Sequence, residues 1–203
     1  MIAIIDYGAG NLMSVKKALD FIGAESKITM DKEKIKSASH IILPGVGSFG
    51  DAMKSMEERG LVETVKSAAL SGKPFLGICL GLQLLFGGSE ESNGVEGLKV
   101  LNGKISSIPK NMGLKVPHMG WNSVSVQQNG GIFKDIPDES YFYFVHSYYL
   151  NDADEADVAG TTEYGVNIQC AVQRGNLCAT QFHPEKSGEI GLKLLENFLA
   201  LEG

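Results

Sequence analysis

The sequence is short of several things at once. Its 203 residues include only three cysteines, Cys79, Cys170 and Cys178. The number is odd and the spacing fits no metal site, so they read as free thiols in a reducing compartment, not as a disulfide framework or a zinc cluster. Basic residues are also scarce, 18 against 24 acidic ones, and no run of lysine or arginine stands out. The resulting formal charge of −6 suits a soluble protein and gives no electrostatic footprint for nucleic acid. No apolar stretch reaches the roughly 20 residues of a spanning helix. The N-terminus, Met1-Ile2-Ala3-Ile4-Ile5-Asp6, lacks the basic region and small-residue cleavage site of a signal peptide. These absences lead to the expectation of a cytoplasmic protein with no membrane or nucleic-acid partner. What is present, 43% hydrophobic and 21% charged residues, is close to globular averages and argues against disorder. The length fits one domain, 1–203, large enough to bury a proper core.

The first half alternates short apolar runs with helical periodicity. Residues 2–6 read as a buried strand, and Leu12, Val15, Leu19 and Ile22 then recur on one helix face with Asn11 as a plausible cap. Further strands are expected over 25–30, 40–43 and 75–78, and helices over 51–59, 61–70 and 80–86. Repeated β–α alternation argues for an α/β fold, a mostly parallel sheet with helices on both faces. After about Gly94 the pattern becomes β-rich, with strands expected over 98–108, 123–127, 141–149, 158–162, 168–173 and 177–182. A last helix carries Leu194, Leu195, Phe198 and Leu199 on one side.

Gly77-Ile78-Cys79-Leu80-Gly81 has the G-x-nucleophile-x-G form of a nucleophile elbow, with cysteine in place of serine. A strand turning sharply into a helix strains its tip residue, and side chains on either side would collide, hence the glycines. The helix that follows brings amide N–H groups and a positive dipole end near the sulfur, which favours thiolate. A small buried cysteine in a Gly-rich turn would give the same five residues, so the elbow alone does not decide. A nucleophilic cysteine needs a base, and the base needs an orienter.

Of the four histidines, His40, His118, His146 and His183, only His183 comes with an orienter. It stands at a strand end in His183-Pro184-Glu185, where Pro184 fixes the backbone and Glu185 could bond the second imidazole nitrogen. His40 reads as structural or solvent-facing. Pro44-Gly45-Val46-Gly47 also follows a strand end, where glycines free backbone N–H groups to meet a developing oxyanion; alone it would be a plain Gly-rich loop. Elbow, base and orienter together favour a Cys–His–Glu triad.

With these pieces assembled, Gly77-Ile78-Cys79-Leu80-Gly81-Leu82-Gln83, Pro44-Gly45-Val46-Gly47 and His183-Pro184-Glu185 resemble the triad-type, class I glutamine amidotransferases of flavodoxin-like fold. Asp6-Tyr7-Gly8-Ala9-Gly10-Asn11-Leu12, Pro117-His118-Met119-Gly120-Trp121-Asn122, Phe144-Val145-His146-Ser147-Tyr148 and Gln181-Phe182-His183-Pro184-Glu185-Lys186-Ser187 are more specific. They resemble the family of glutaminase subunits of imidazole glycerol phosphate synthases in histidine biosynthesis, and the similarity runs from end to end. The resemblance implies that Cys79 attacks L-glutamine, His183 moves the protons, Glu185 orients it, and a glutamyl thioester is hydrolysed. It implies an oxyanion hole from the Val46 and Leu80 amides, with Gly45 and Gly47 around it. Gln83 and Glu91 would hold the amino-acid end, and Ser147 and Tyr148 beside His146 the carboxylate end. It implies no cofactor or metal. The partner it implies is a (βα)8-barrel cyclase subunit that would receive ammonia through a tunnel, docked on a face including Asn11, Trp121 and Lys186. Read without the resemblance, Glu90-Glu91 is a solvated acidic turn, and Trp121 could equally be a core residue or an interface one. Two other readings stay open: a glutaminase serving a different synthase, and a non-catalytic protein in which Cys79 is a redox thiol.

Overall fold

A computed structural model describes residues 1–203, the Met112 side chain excepted. The first half is built as β1 (Ile2–Ile5), α1 (Leu12–Phe21), β2 (Ser26–Thr29), α2 (Lys32–Ser37), β3 (His40–Gly45), α3 (Phe49–Glu58), α4 (Val62–Ala69), β4 (Phe75–Cys79) and α5 (Leu80–Gln83). All residues of β1 and β4 are buried, as continuous apolar runs demand when both faces of a sheet are covered. Asn11 caps α1, its side chain accepting from the Ser14 N–H. Helix α2 has no apolar periodicity to announce it, since only Ile35 is buried; it is started by Asp31, which accepts from the Glu33 and Lys34 N–H groups.

The second half supplies β5 (Lys104–Ser107), β6 (His118–Val126), β7 (Ser140–His146), β8 (Tyr148–Asn151), β9 (Val158–Glu163), β10 (Asn167–Arg174), β11 (Leu177–Thr180) and α6 (Gly188–Leu199). Nine strands form one sheet in the order β2-β1-β3-β4-β11-β10-β9-β6-β7, and β5 pairs with β8 in a second. From β2 to β11 neighbours run parallel; from β11 to β7 they run antiparallel. The expected parallel sheet is therefore present, and the β-rich half extends it.

Four expected elements differ, and the strand over 123–127 is the one that grows, starting five residues earlier as β6 at His118. The strand over 98–108 shrinks to β5, because Leu98 and Val100 donate instead to the Leu84 and Leu85 carbonyls and are pinned beneath the end of α5. The helix over 80–86 stops at Gln83 and tightens, the Leu85 and Phe86 N–H groups reaching back three residues to Leu82 and Gln83. The strand over 141–149 breaks at Ser147, where the chain leaves β6 for β5.

Alternation along the strands divides the interior into two cores. Ile5, Leu43, Met56, Val65 and Phe86 fill the face covered by α2–α5, and Ile4, Ile42, Phe142, Phe144, Phe182, Leu194 and Phe198 fill the face covered by α1 and α6. Each such large side chain contributes about 1.5–3 kcal/mol of burial. Cys170 and Cys178 lie wholly inside the second core, and burial pushes the Cys178 thiol up to about 12. Among the described residues no helix is long and apolar enough to cross a membrane.

Candidate active site

Cys79 closes β4 with φ 55° and ψ −109°, a left-handed backbone that residues with a Cβ rarely adopt. Helix α5 starts at the next residue. A Cβ on Gly77 would lie 2.7 Å from the Gly81 carbonyl oxygen, and one on Gly81 would overlap the Leu43 carbonyl. Both flanking positions thus exclude side chains, and the elbow is real. The thiol faces the Val145 carbonyl at 3.9 Å, while Gln181 Nε2 lies 3.6 Å from Sγ.

His183 comes from the adjacent strand. β11 pairs with β4 in parallel register, Thr180 opposite Ile78, and carries the chain to His183 just beyond. The turn is tied down: the His183 N–H donates to the Tyr143 carbonyl at 2.9 Å, and Ser187 Oγ donates to the His183 carbonyl at 2.6 Å. Nδ1 lies 2.8 Å from Glu185 Oε1, with the two side chains only 3% and 1% exposed. Facing a carboxylate, Nδ1 keeps its proton, which leaves Nε2 as the basic nitrogen. Nε2 has no hydrogen-bond partner among the described residues. Burial pulls the His183 pKa down, but the Cys79 sulfur and the Glu185 carboxylate outweigh it and raise it to about 9.

One cavity of about 320 Å³ gathers Val46, Gly47, Cys79, Leu80, Gln83, Glu91, His146, Ser147, Tyr148 and His183 on its wall, with Lys186. That size is at the lower end for small-molecule sites. Gly45 stands behind the wall: a Cβ there would meet the Tyr7 hydroxyl at 2.7 Å and Leu80 Cβ at 2.8 Å, so its part is to let β3 lie against the elbow. Val46 is 41% exposed, and Gly47 turns the loop with φ +91°.

The polar groups around the cavity have fixed orientations. The Tyr148 carbonyl can only accept, so Gln83 presents Nε2 to it at 3.1 Å and gives its second hydrogen to Gln181 Oε1 at 3.0 Å. Gln83 Oε1 is left free to accept. Glu91 Oε2 accepts from the Phe49 N–H at 2.7 Å at the start of α3, so the supposed acidic turn is built in. His146 uses both ring nitrogens on protein partners, the Tyr148 carbonyl and His118, each at 2.9 Å, so it lines the cavity with its ring.

The expected docking residues lie outside or at the mouth. Trp121 is 55% exposed, which removes the core reading, and its ring meets Tyr143 edge to face at 6.1 Å. Lys186 Nζ sits 5.8 Å over the same Tyr143 ring. Met119 and Tyr141 are also exposed on β6 and β7, while Asn11 is exposed as the cap of α1. His118, Val145 and Gln181 contribute contacts that the sequence reading did not assign. Gln181 could have been found from the alternation expected over 177–182, which puts it on the side of His183.

A profile described as glutamine amidotransferase class-I matches residues 3–201. The chain is 53% identical over 197 residues to the imidazole glycerol phosphate synthase subunit HisH of Moorella thermoacetica, covering 97% of this chain and 93% of that protein. It is 50% identical over 201 residues to subunit HisH of Methanothermobacter thermautotrophicus, covering 99% and 98%. Among solved structures, a glutamine amidotransferase aligns with TM-score 0.77 at 21% identity over 99% of this chain and 98% of that one. PurLQS from Thermotoga maritima aligns with TM-score 0.73 at 21% identity over 98% and 96%. At such identities the likeness is one of fold. The chain belongs to the class-I glutamine amidotransferases and, within them, to the HisH glutaminase subunits of imidazole glycerol phosphate synthase.

Proposed function

We propose that this glutaminase works through a Cys79–His183–Glu185 triad and delivers its ammonia to a (βα)8-barrel cyclase subunit. The observation that carries the reading is a strained Cys79 and a carboxylate-oriented His183 on the wall of one small cavity. His183 Nε2 takes the thiol proton, and the thiolate attacks the side-chain amide carbon of glutamine. The negative charge moves to the amide oxygen, where the Leu80 and Val46 N–H groups would receive it. Each such donor is worth about 2.7–4 kcal/mol of barrier. The imidazolium returns the proton to nitrogen, the C–N bond breaks and ammonia leaves. Water then attacks the glutamyl thioester, giving up its proton to His183; the C–S bond breaks and glutamate departs. Gln83 Oε1 and the Glu91 carboxylate suit the substrate ammonium, and the Ser147–Tyr148 backbone suits its carboxylate.

Ammonia loses its nucleophilicity on protonation, so passage into a docked partner, through a tunnel, protects it. The exposed Met119, Trp121 and Tyr141, next to the cavity-lining Lys186, support docking on this face, with Asn11 at its margin. In the barrel the ammonia would complete imidazole glycerol phosphate and an aminoimidazole carboxamide ribotide. Three free cysteines support a cytoplasmic setting. The exposed Val46 and the turn at Gly47 support the oxyanion loop as the part that switches when the cyclase site fills.

Cys79→Ala tests the reading in the two-subunit enzyme. Glutamine-dependent synthesis should vanish while synthesis from ammonium salts persists. Loss of both would assign Cys79 to docking or folding instead.

A further inference from the structure

Gln181 is a buried amide that the steps above leave unused. It lies one residue past β11 with no exposed surface, and a side chain so placed is defined by its partners. Those partners fix its orientation. The acceptor-only Tyr148 carbonyl commits Gln83 Nε2, and Gln83 Nε2 in turn occupies Gln181 Oε1 at 3.0 Å. Gln181 Nε2 is what remains for Cys79, 3.6 Å from Sγ. Flipping Gln83 would set oxygen against oxygen at Tyr148, and flipping Gln181 would set nitrogen against nitrogen at Gln83.

We infer that Gln181 is a further catalytic residue, the hydrogen-bond donor to the Cys79 sulfur in its thiolate form. The inference rests on the proposed thioester mechanism. The Val145 carbonyl can receive the S–H proton of the resting thiol, but it offers nothing to the anion once His183 has taken that proton. An N–H does, and donors to charged acceptors are the strong ones, more so where water is excluded. When the C–S bond of the thioester breaks, its electron pair returns to sulfur, and the same N–H receives it.

Gln181→Met, of similar length but without a donor, and Gln181→Glu, of the same shape with acceptors only, test this in the two-subunit enzyme. The Met variant should lose about 10- to 100-fold in kcat for glutamine-dependent synthesis, with KM held within about threefold. Alkylation of Cys79 by iodoacetamide at neutral pH should slow in parallel, and ammonium-dependent synthesis should remain. The Glu variant should be at least as impaired. Parent-like kcat and alkylation in a folded Met variant would overturn the assignment. So would an equal loss of ammonium-dependent synthesis in both variants, which would make Gln181 a purely structural residue. Glutamine-dependent synthesis surviving in Cys79→Ala would instead sink the thioester reading itself.

Discussion

His118 Nδ1 lies 2.9 Å from His146 Nε2, and the proton between them belongs to His118. The direction follows from the far side of His146, where Nδ1 faces the Tyr148 carbonyl and must donate. His118 Nε2 is then an acceptor, and Asn122 Nδ2 stands 3.4 Å away to supply it. The pair works only while both rings are neutral. Burial lowers His118 to about 4; burial and the neighbouring histidines lower His146 to about 3, against the bond to Tyr148.

The pair makes stability depend on pH on the acid side. Unfolded histidines titrate near 6.5, so below about pH 6.5 the unfolded chain binds more protons and stability falls with pH. His183 has the opposite sign: raised to about 9, it contributes fully below the unfolded value and loses that contribution as pH climbs through about 9. Calorimetry should give a Tm that peaks near neutrality with two falling limbs. His118→Gln should flatten the acid limb, and Glu185→Gln the alkaline one. An acid limb unchanged in His118→Gln would count against the pair.

The elbow tolerates no side chain at position 81. Gly81→Ala drives a methyl into the Leu43 carbonyl, and overpacking of this kind costs about 1–3 kcal/mol. Glutamine-dependent turnover should fall with it, because Cys79 and Leu80 move. Gly87→Ala meets nothing within 4 Å and should stay within about 0.5 kcal/mol of the parent in denaturant titration.

Glu91 has two tasks that substitution separates. Gln in its place keeps an acceptor for the Phe49 N–H but removes the charge, so KM for glutamine should rise about tenfold or more while Tm holds. Glu91→Ala should show the same KM effect and also lose about 1 kcal/mol as α3 loses a partner at its start. A parent-like KM for Glu91→Gln would remove the carboxylate from substrate binding.

Trp121→Ala should leave folding stability within about 0.5 kcal/mol, since the side chain is more than half exposed. Affinity for the cyclase subunit, measured by titration calorimetry, should drop about 30-fold or more if Trp121 anchors the interface. An unchanged Kd would place docking elsewhere.

The elements that the sequence announced are those whose pattern is local. β1 and β4 are unbroken apolar runs, α1 has its period and cap, and Gly77, Cys79 and Gly81 declare their turn within five residues. Helix α2 escaped because one buried isoleucine makes no period. The break at Ser147 escaped because apolar residues continue through it. The inner polar shell escaped for another reason: His118 meets His146 28 residues away and Gln181 meets Cys79 102 residues away. Alternation over 177–182 can put Gln181 on the side of His183, but its partner Cys79 is set by strand order, which no short window of sequence contains.

Strand order also decides when the site comes into being. β11, from the end of the chain, is inserted between β4 and β10. As the chain leaves the ribosome, the elbow can close early on local contacts, but His183 arrives only when the last strand is laid into the middle of the sheet. Until then β4 is a bare edge, open to pairing with other chains. A product truncated before Leu177 would therefore be doubly defective, holding a thiol without its histidine and a sticky strand without its neighbour. Closing that non-local ladder is the slow kind of folding step, and completion of the fold and assembly of the cavity wall become a single event.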